Sequence, residues 1–162
     1  MIHRDDIGGQ AKELQGVSNS HGTRQGRDRF GKGVERMIVG TGTDLVEIAR
    51  VARSLERFGA RFEERVFTPE EIAYCRRKVK TATESFAARF AAKEAGAKAL
   101  GTGISRGVSW QEIEVIRRPG ERPELFFHGR AAEWAVRLGA RKAHLSLTHG
   151  RESAIAMVVL ES

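Results

Sequence analysis

Two carboxylates stand where their surroundings ask for a cation. Asp44 closes the run Gly40-Thr41-Gly42-Thr43-Asp44 at the end of a short apolar stretch. The run is not a dinucleotide fingerprint, because the third glycine is missing, and no Gly-Lys-Ser/Thr follows to make it a P-loop. Asp44-x-x-Glu47 also matches a capping box that opens a helix, and on this segment alone the two roles compete evenly. Glu94 falls beside Phe86, Phe90, Ala97 and Gly101 on one face of a helix, with Arg89, Lys93 and Lys98 around it. A carboxylate on an apolar face must be paired, protonated or bound to a metal. It therefore either snorkels to the surface among local ion pairs or ligates a hard cation. Mg²⁺ takes one or two protein carboxylates and fills its other positions with phosphate and water. His149, between the last two strand-like runs, is placed to reach a ligand. No Ser-His-Asp or Cys-His arrangement can be assembled. The single cysteine, Cys75, excludes an internal disulfide and CxxC metal sites and reads as structural.

A second feature is a row of arginines. On a helix turning about 100° per residue, Arg50, Arg53, Arg57 and Arg61 fall on one narrow stripe, with Ile48, Ala52, Leu55 and Phe62 on the other side. A solvated charged face is the plain reading of such a row. Its single sign, with like charges repelling at i, i+4, invites an acidic partner surface.

The elements that must hold these residues read as follows. Residues 37–42 form a strand, 45–58 an amphipathic helix, and Thr68-Pro69-Glu70-Glu71 opens a short helix with a capping box and proline in the first turn. A long helix covers 83–100 and ends at Gly101. Strands at 112–117 and 124–127 turn at Pro119-Gly120, a helix spans 129–138, and strands 143–148 and 153–160 are joined by a loop at 148–151. This order favours α+β over a doubly wound sheet.

The chain has 162 residues and a net charge of +7, with 28 Lys+Arg against 21 Asp+Glu. A basic balance favours anionic partners. No apolar run approaches the roughly 20 residues that span a membrane, and no secretory signal is visible, so the expected location is the cytoplasm. Residues 1–36 hold 7 of the 18 glycines and a single aromatic, Phe30. That stretch is expected to be a disordered extension ahead of a functional start at Met37, with one domain over 37–162.

Three ordered motifs carry a resemblance: Gly40 through Ile48, then Arg89-Phe90-Ala91-Ala92-Lys93-Glu94-Ala95-Gly96-Ala97-Lys98 on to Gly103, then Ser146-Leu147-Thr148-His149. Together they resemble the small bacterial 4′-phosphopantetheinyl transferases of the holo-(acyl carrier protein) synthase family. Pro123, preceded by Glu121-Arg122 where that family has Gly-Lys, departs slightly, as does Gly96. The resemblance implies an α+β fold, a small mixed or antiparallel sheet packed with a long helix, active as a homotrimer with sites between subunits. It implies transfer of the phosphopantetheine arm of coenzyme A to a serine of apo acyl carrier protein, releasing adenosine 3′,5′-bisphosphate, in fatty acid biosynthesis. It implies Mg²⁺ on Asp44 and Glu94, and Lys98 at the pyrophosphate. Arg89, Lys93 and His149 then hold the nucleotide end of coenzyme A, and Glu94 or a water on the metal takes the serine proton. The carrier is strongly acidic, which gives Arg50, Arg57 and Arg61 a partner; Arg50 matches the family position, whereas the other two rest on helix geometry.

The competing class is a basic nucleic-acid-binding module. One tyrosine and no platform of interleaved aromatics argue against it, and it leaves Glu94 unexplained.

Overall fold

The structure, a computed structural model, describes residues 36–162; the expected disordered extension lies outside the described residues, apart from Arg36. The elements run β1 (Ile38–Glu47), α1 (Ile48–Phe58), α2 (Ala60–Val66), α3 (Pro69–Arg77), α4 (Ala82–Ala99), β2 (Ile113–Ile116), β3 (Glu124–Phe127), α5 (Gly129–Arg137), β4 (Lys142–His149) and β5 (Ser153–Glu161), with a 3-10 turn at Trp110–Glu112 before β2. The chain is α+β, as expected. β1, β5 and β4 form an antiparallel sheet in that order, and β2 pairs with β3 as a separate antiparallel hairpin. Among the described residues no helix is long and apolar enough to cross a membrane.

α4 lies between the sheet and the hairpin, and small residues make that possible. A Cβ added to Gly42 would run into the Ala95 carbonyl of α4, and one added to Gly40 into the Ala99 carbonyl. On the other side, a Cβ at Gly96 would come within 2.9 Å of Ile113 Cγ2 and 3.1 Å of Leu125 Cδ2. Ala87, Ala91, Ala92, Ala95 and Ala97 are fully buried. Between Phe86 and Ala99 only Phe90, Glu94 and Lys98 escape burial. Spaced four apart, these three stack into one open seam along the helix.

Several sequence-level boundaries need correction. β1 continues to Glu47 instead of stopping at residue 42, so Asp44 is a strand residue paired with Ala156 and not a helix cap. α1 starts at Ile48 and has no side-chain cap; the Ile48 N–H donates instead to the Glu152 carbonyl at 2.8 Å. The single arginine stripe is also broken. Gly59, with φ of 51°, ends α1 and starts α2, so Arg61 sits on a different helix from Arg50, Arg53 and Arg57. The predicted caps of α3 are present: Thr68 Oγ1 accepts from the Glu71 N–H, and Glu71 accepts from the Thr68 N–H at 2.9 Å.

Glu71 does more than cap. One carboxylate oxygen receives Lys93 Nζ at 2.7 Å, and the other accepts the Val115 N–H at 2.9 Å. Lys93 also donates to the carbonyls of Trp110 at 3.0 Å and Ile113 at 2.6 Å. An ammonium has three donors, and all three are used here, with both side chains at 0% exposure. Burial draws the Lys93 pKa down, opposed by the Glu71 charge. From Thr68 the network runs on through Glu114 to the ring of His128. Cys75 is fully buried, and burial pushes its thiol up to about 11; as expected, it is structural.

Gly42→Ala tests the contact between β1 and α4. Backbone and not a flexible side chain blocks the added methyl, so the variant should lose about 1–3 kcal/mol of stability, the usual range for overpacking. A lowered urea midpoint with an unchanged slope would show it.

Candidate active site

The site grows directly from the close approach. Alternate strand residues share a face, so Gly40, Gly42 and Asp44 all turn toward α4. The glycines let the backbones touch, and Asp44, the next inward residue, meets the open seam of the helix. Lys98 Nζ bonds Asp44 Oδ1 at 2.7 Å and the Thr43 carbonyl at 3.1 Å. Glu94, one turn back along the seam, is half-buried. Burial first, and the Asp44 charge second, push its carboxyl above the ordinary carboxylate value; Lys98 and Arg50 pull the other way. Arg50, in the first turn of α1, thus faces the same spot. The sequence-predicted set Asp44, Glu94, Lys98 and Arg50 is brought together.

Two hard-oxygen carboxylates on a strand and a helix that touch each other, with the Asp44 charge felt at Glu94, form a donor set suited to a divalent cation. Among the described residues no group of three or more His, Cys, Asp or Glu side chains gathers. A two-carboxylate set leaves most positions around a cation to water or phosphate, the coordination habit of Mg²⁺.

Arg89 and His149 are brought together elsewhere. They line a cavity of about 410 Å³ with Tyr74, Ser85, Arg117 and Thr148. Arg89 is only 4% exposed. Its guanidinium lies 3.9 Å from the Tyr74 ring centroid and bonds the Ser85 carbonyl at 3.5 Å, while its Nε is buried with no partner. A guanidinium in the lining of a cavity suits a phosphate. His149 is the last residue of β4, not a loop residue, and is exposed.

Lys93 does not reach either place. Its ammonium is consumed by Glu71 and two carbonyls inside the core, so the expected coenzyme A contact is corrected to a structural one. Arg57 is exposed at the end of α1, 5.1 Å from the Phe58 ring. Arg61 and Arg65 rim a cavity of about 430 Å³ floored by Phe58, Phe62, Phe90 and Trp110.

Sequence reasoning missed Tyr74, Arg117 and this aromatic cavity. Arg117 had a signal, as half of a basic pair before the Pro119-Gly120 turn. Tyr74 had none, since it meets Arg89 from another helix, and the cavity joins residues up to 56 positions apart.

Comparison with known proteins follows the same outline. Residues 40–158 match the family model of the 4′-phosphopantetheinyl transferase superfamily. The holo-[acyl-carrier-protein] synthase of Koribacter versatilis is 56% identical over 125 residues, covering 77% of this chain and 99% of that protein. The crystal structure of the Neisseria meningitidis holo-[acyl-carrier-protein] synthase superposes with a TM-score of 0.69 at 38% identity, over 78% of this chain and 100% of that one. The Helicobacter pylori holo-[acyl-carrier-protein] synthase, solved in complex with coenzyme A, gives a TM-score of 0.65 at 33% identity, over 74% and 98%. The nucleic-acid-binding alternative finds no support in these relatives. The chain belongs to the holo-[acyl-carrier-protein] synthases of the 4′-phosphopantetheinyl transferase superfamily.

Proposed function

We propose that this chain transfers the 4′-phosphopantetheine arm of coenzyme A to a serine hydroxyl of apo acyl carrier protein. The serine oxygen bonds to the phosphorus nearer the pantetheine, the pyrophosphate bridge on its far side breaks, and adenosine 3′,5′-bisphosphate leaves. The observation that carries this reading is the meeting of Asp44, Glu94 and Lys98 where β1 touches α4. The setting that fits the bacterial relatives is fatty acid biosynthesis in the cytoplasm.

Asp44 and Glu94 are the residues that would hold Mg²⁺. Bound there, the ion would neutralise charge on the transferred phosphoryl group. Lys98 is poised to share its ammonium between Asp44 and the pyrophosphate, and stabilises negative charge on the leaving group. Glu94, with its raised proton affinity, is the candidate acceptor for the serine proton. The Arg89 cavity offers a place for the nucleotide end, with the Arg89 guanidinium and exposed His149 in its lining.

A shared site between copies is supported by two observations. Arg89 and Glu94 are five positions apart on α4, hence about 140° apart around the axis, so one chain presents the phosphate cavity and the carboxylates on different faces. The outer face of the sheet also exposes Leu45, Ile155 and Met157, cross-strand neighbours on β1 and β5. An apolar sheet face of this kind suits another copy. A homotrimer that joins one chain's Arg89 cavity to its neighbour's Asp44 and Glu94 satisfies both.

The acidic carrier has a matching surface: Arg50, Arg57 and Arg61 near an apolar cavity one helical turn from Glu94. An apolar carrier residue would seat among Phe58, Phe62, Phe90 and Trp110, with its acidic neighbours on the arginines.

Intact-mass spectrometry of apo carrier, incubated with coenzyme A, Mg²⁺ and this protein, should show the gain of one phosphopantetheine. EDTA should abolish the gain, as should Asp44→Ala or Glu94→Ala in protein with an unchanged circular dichroism spectrum. No gain from wild-type protein would sink the reading. Arg50→Glu and Arg61→Glu should raise the KM for carrier well above any change in the KM for coenzyme A, and an equal rise in both would remove the docking role. Mixing inactive Arg89→Ala with inactive Glu94→Ala should restore transfer by re-forming intact sites between copies; a mixture as dead as its parts would argue for a site within one chain.

A further inference from the structure

α4 carries Glu94, Lys98 and Arg89, and its large apolar anchors, Phe86 on Phe67 and Phe90 on Trp110, lie in its first half. The buried residues are spread around almost its whole circumference, and most of those meeting the sheet are alanine. Alanine and glycine let backbones approach closely but give few knobs that lock a helix against turning in its groove. In the turn that carries Glu94 the large buried side chain is Lys93. Its side chain leaves α4 on the side away from Asp44 and ends in three directed bonds: to Glu71 on α3, to Trp110 in the 3-10 turn and to Ile113 at the start of β2. Glu71 is itself fixed by the N–H groups of Thr68 and Val115. The clamp therefore refers the orientation of α4 to three other elements.

Lys93 adjoins Glu94 in sequence and lies about 100° away around the helix. A carboxylate sits about 6 Å from a helix axis, so turning α4 by about 10° carries it about 1 Å. Misplacement on that scale is enough to cost about a hundredfold in rate.

We propose that Lys93, held by Glu71, is a positioning residue for the transfer reaction: the buried ammonium sets the rotation of α4 and so holds Glu94 and Lys98 opposite Asp44. The inference rests on the reading that Asp44 and Glu94 hold the divalent cation. It explains why the helix that bears the reacting groups spends a lysine where an apolar residue would fill the space, since replacing a buried ion pair by apolar groups is often neutral for stability.

The test uses the double variant Lys93→Met with Glu71→Gln, which removes the clamp and both buried charges together. The introduced amide can still accept from Val115 N–H. Glu71→Gln alone keeps Lys93 and its carbonyl bonds but leaves the ammonium without a counter-charge, so it makes the smaller change in geometry at the larger loss of stability. Leu138→Ala, in the turn after α5 and away from α4, is the control for lost stability. Three quantities are read: kcat and the KM for coenzyme A separately, melting temperature, and Mn²⁺ affinity by electron paramagnetic resonance with coenzyme A and no carrier. The clamp predicts that the folded double variant loses about ten- to a hundredfold in kcat and binds Mn²⁺ more weakly, with little change in the KM for coenzyme A. Glu71→Gln moves the same way by less, and Leu138→Ala matches the stability loss while keeping kcat and Mn²⁺ affinity. Wild-type kcat and Mn²⁺ affinity in the folded double variant overturn the proposal. So does a loss in Leu138→Ala as large as in the clamp variants. Should the double variant not fold, unchanged kcat and Mn²⁺ affinity in Glu71→Gln overturn it instead. If wild-type protein transfers nothing, the functional reading fails, and the Mn²⁺ comparison still decides whether the clamp orients Glu94.

Discussion

Everything in this domain is organised around how closely the backbone of β1 lies against α4. Gly40 and Gly42 face Ala99 and Ala95 with no side chain between them, and an added methyl at either glycine would meet a carbonyl oxygen. Contact at that distance ties a polar strand to a polar helix rung without the spacer that larger residues impose. As a result Asp44, the next inward residue, arrives beside Lys98 with no long reach required of either side chain. The Gly-x-Gly-x-Asp spacing is therefore a packing motif that ends in a carboxylate. Its glycines do not cradle a phosphate.

The opposite side of α4 solves a different problem. The small residues of α4 set how closely it approaches its neighbours, and a site that depends on its orientation also gains from a directional restraint. Hydrogen bonds supply direction where apolar contact cannot. The buried Glu71–Lys93 pair, with four peptide groups around it, is such a restraint. It joins α3, α4, the 3-10 turn and β2 into one unit. Desolvating two charges is expensive unless every lone pair and proton is met, and here the ammonium's donors are all engaged.

Much of this was legible in the sequence, and the parts that were not have a common cause. Local rules found α3 through Thr68 and Glu71, and the ends of α4 and α5 through Gly101 and Gly139, both at positive φ. They misread residues 43–47, because Asp44-x-x-Glu47 satisfies a capping box while pairing with β5, more than a hundred residues away, holds the segment extended. They ran the arginine stripe through Gly59, whose left-handed backbone redirects the chain. At the site, Asp44, Glu94 and Lys98 were recognisable because their spacing repeats a family motif. Lys93 sits in the same motif but serves the core. Its partner Glu71 is 22 positions upstream, and one sequence alone does not distinguish a lysine that binds phosphate from one that binds a buried glutamate. The Arg89 cavity was half visible, since Arg89 and His149 were named but Tyr74 and Arg117 come from elements whose approach only the fold decides.

The open seam of α4 also bears on how such an enzyme can change over generations. Apart from Phe90, Glu94 and Lys98, nearly every position from Phe86 to Ala99 is enclosed by backbone or close-packed side chains. Two of those three take part in the proposed chemistry. Selection therefore has almost no neutral ground on the helix that carries the site. Drift toward a new carrier has to be recorded on the surrounding surface, in the exposed arginines of α1 and α2. Divergence among relatives should accordingly be lopsided, with an almost frozen helix set among freely rewritten margins.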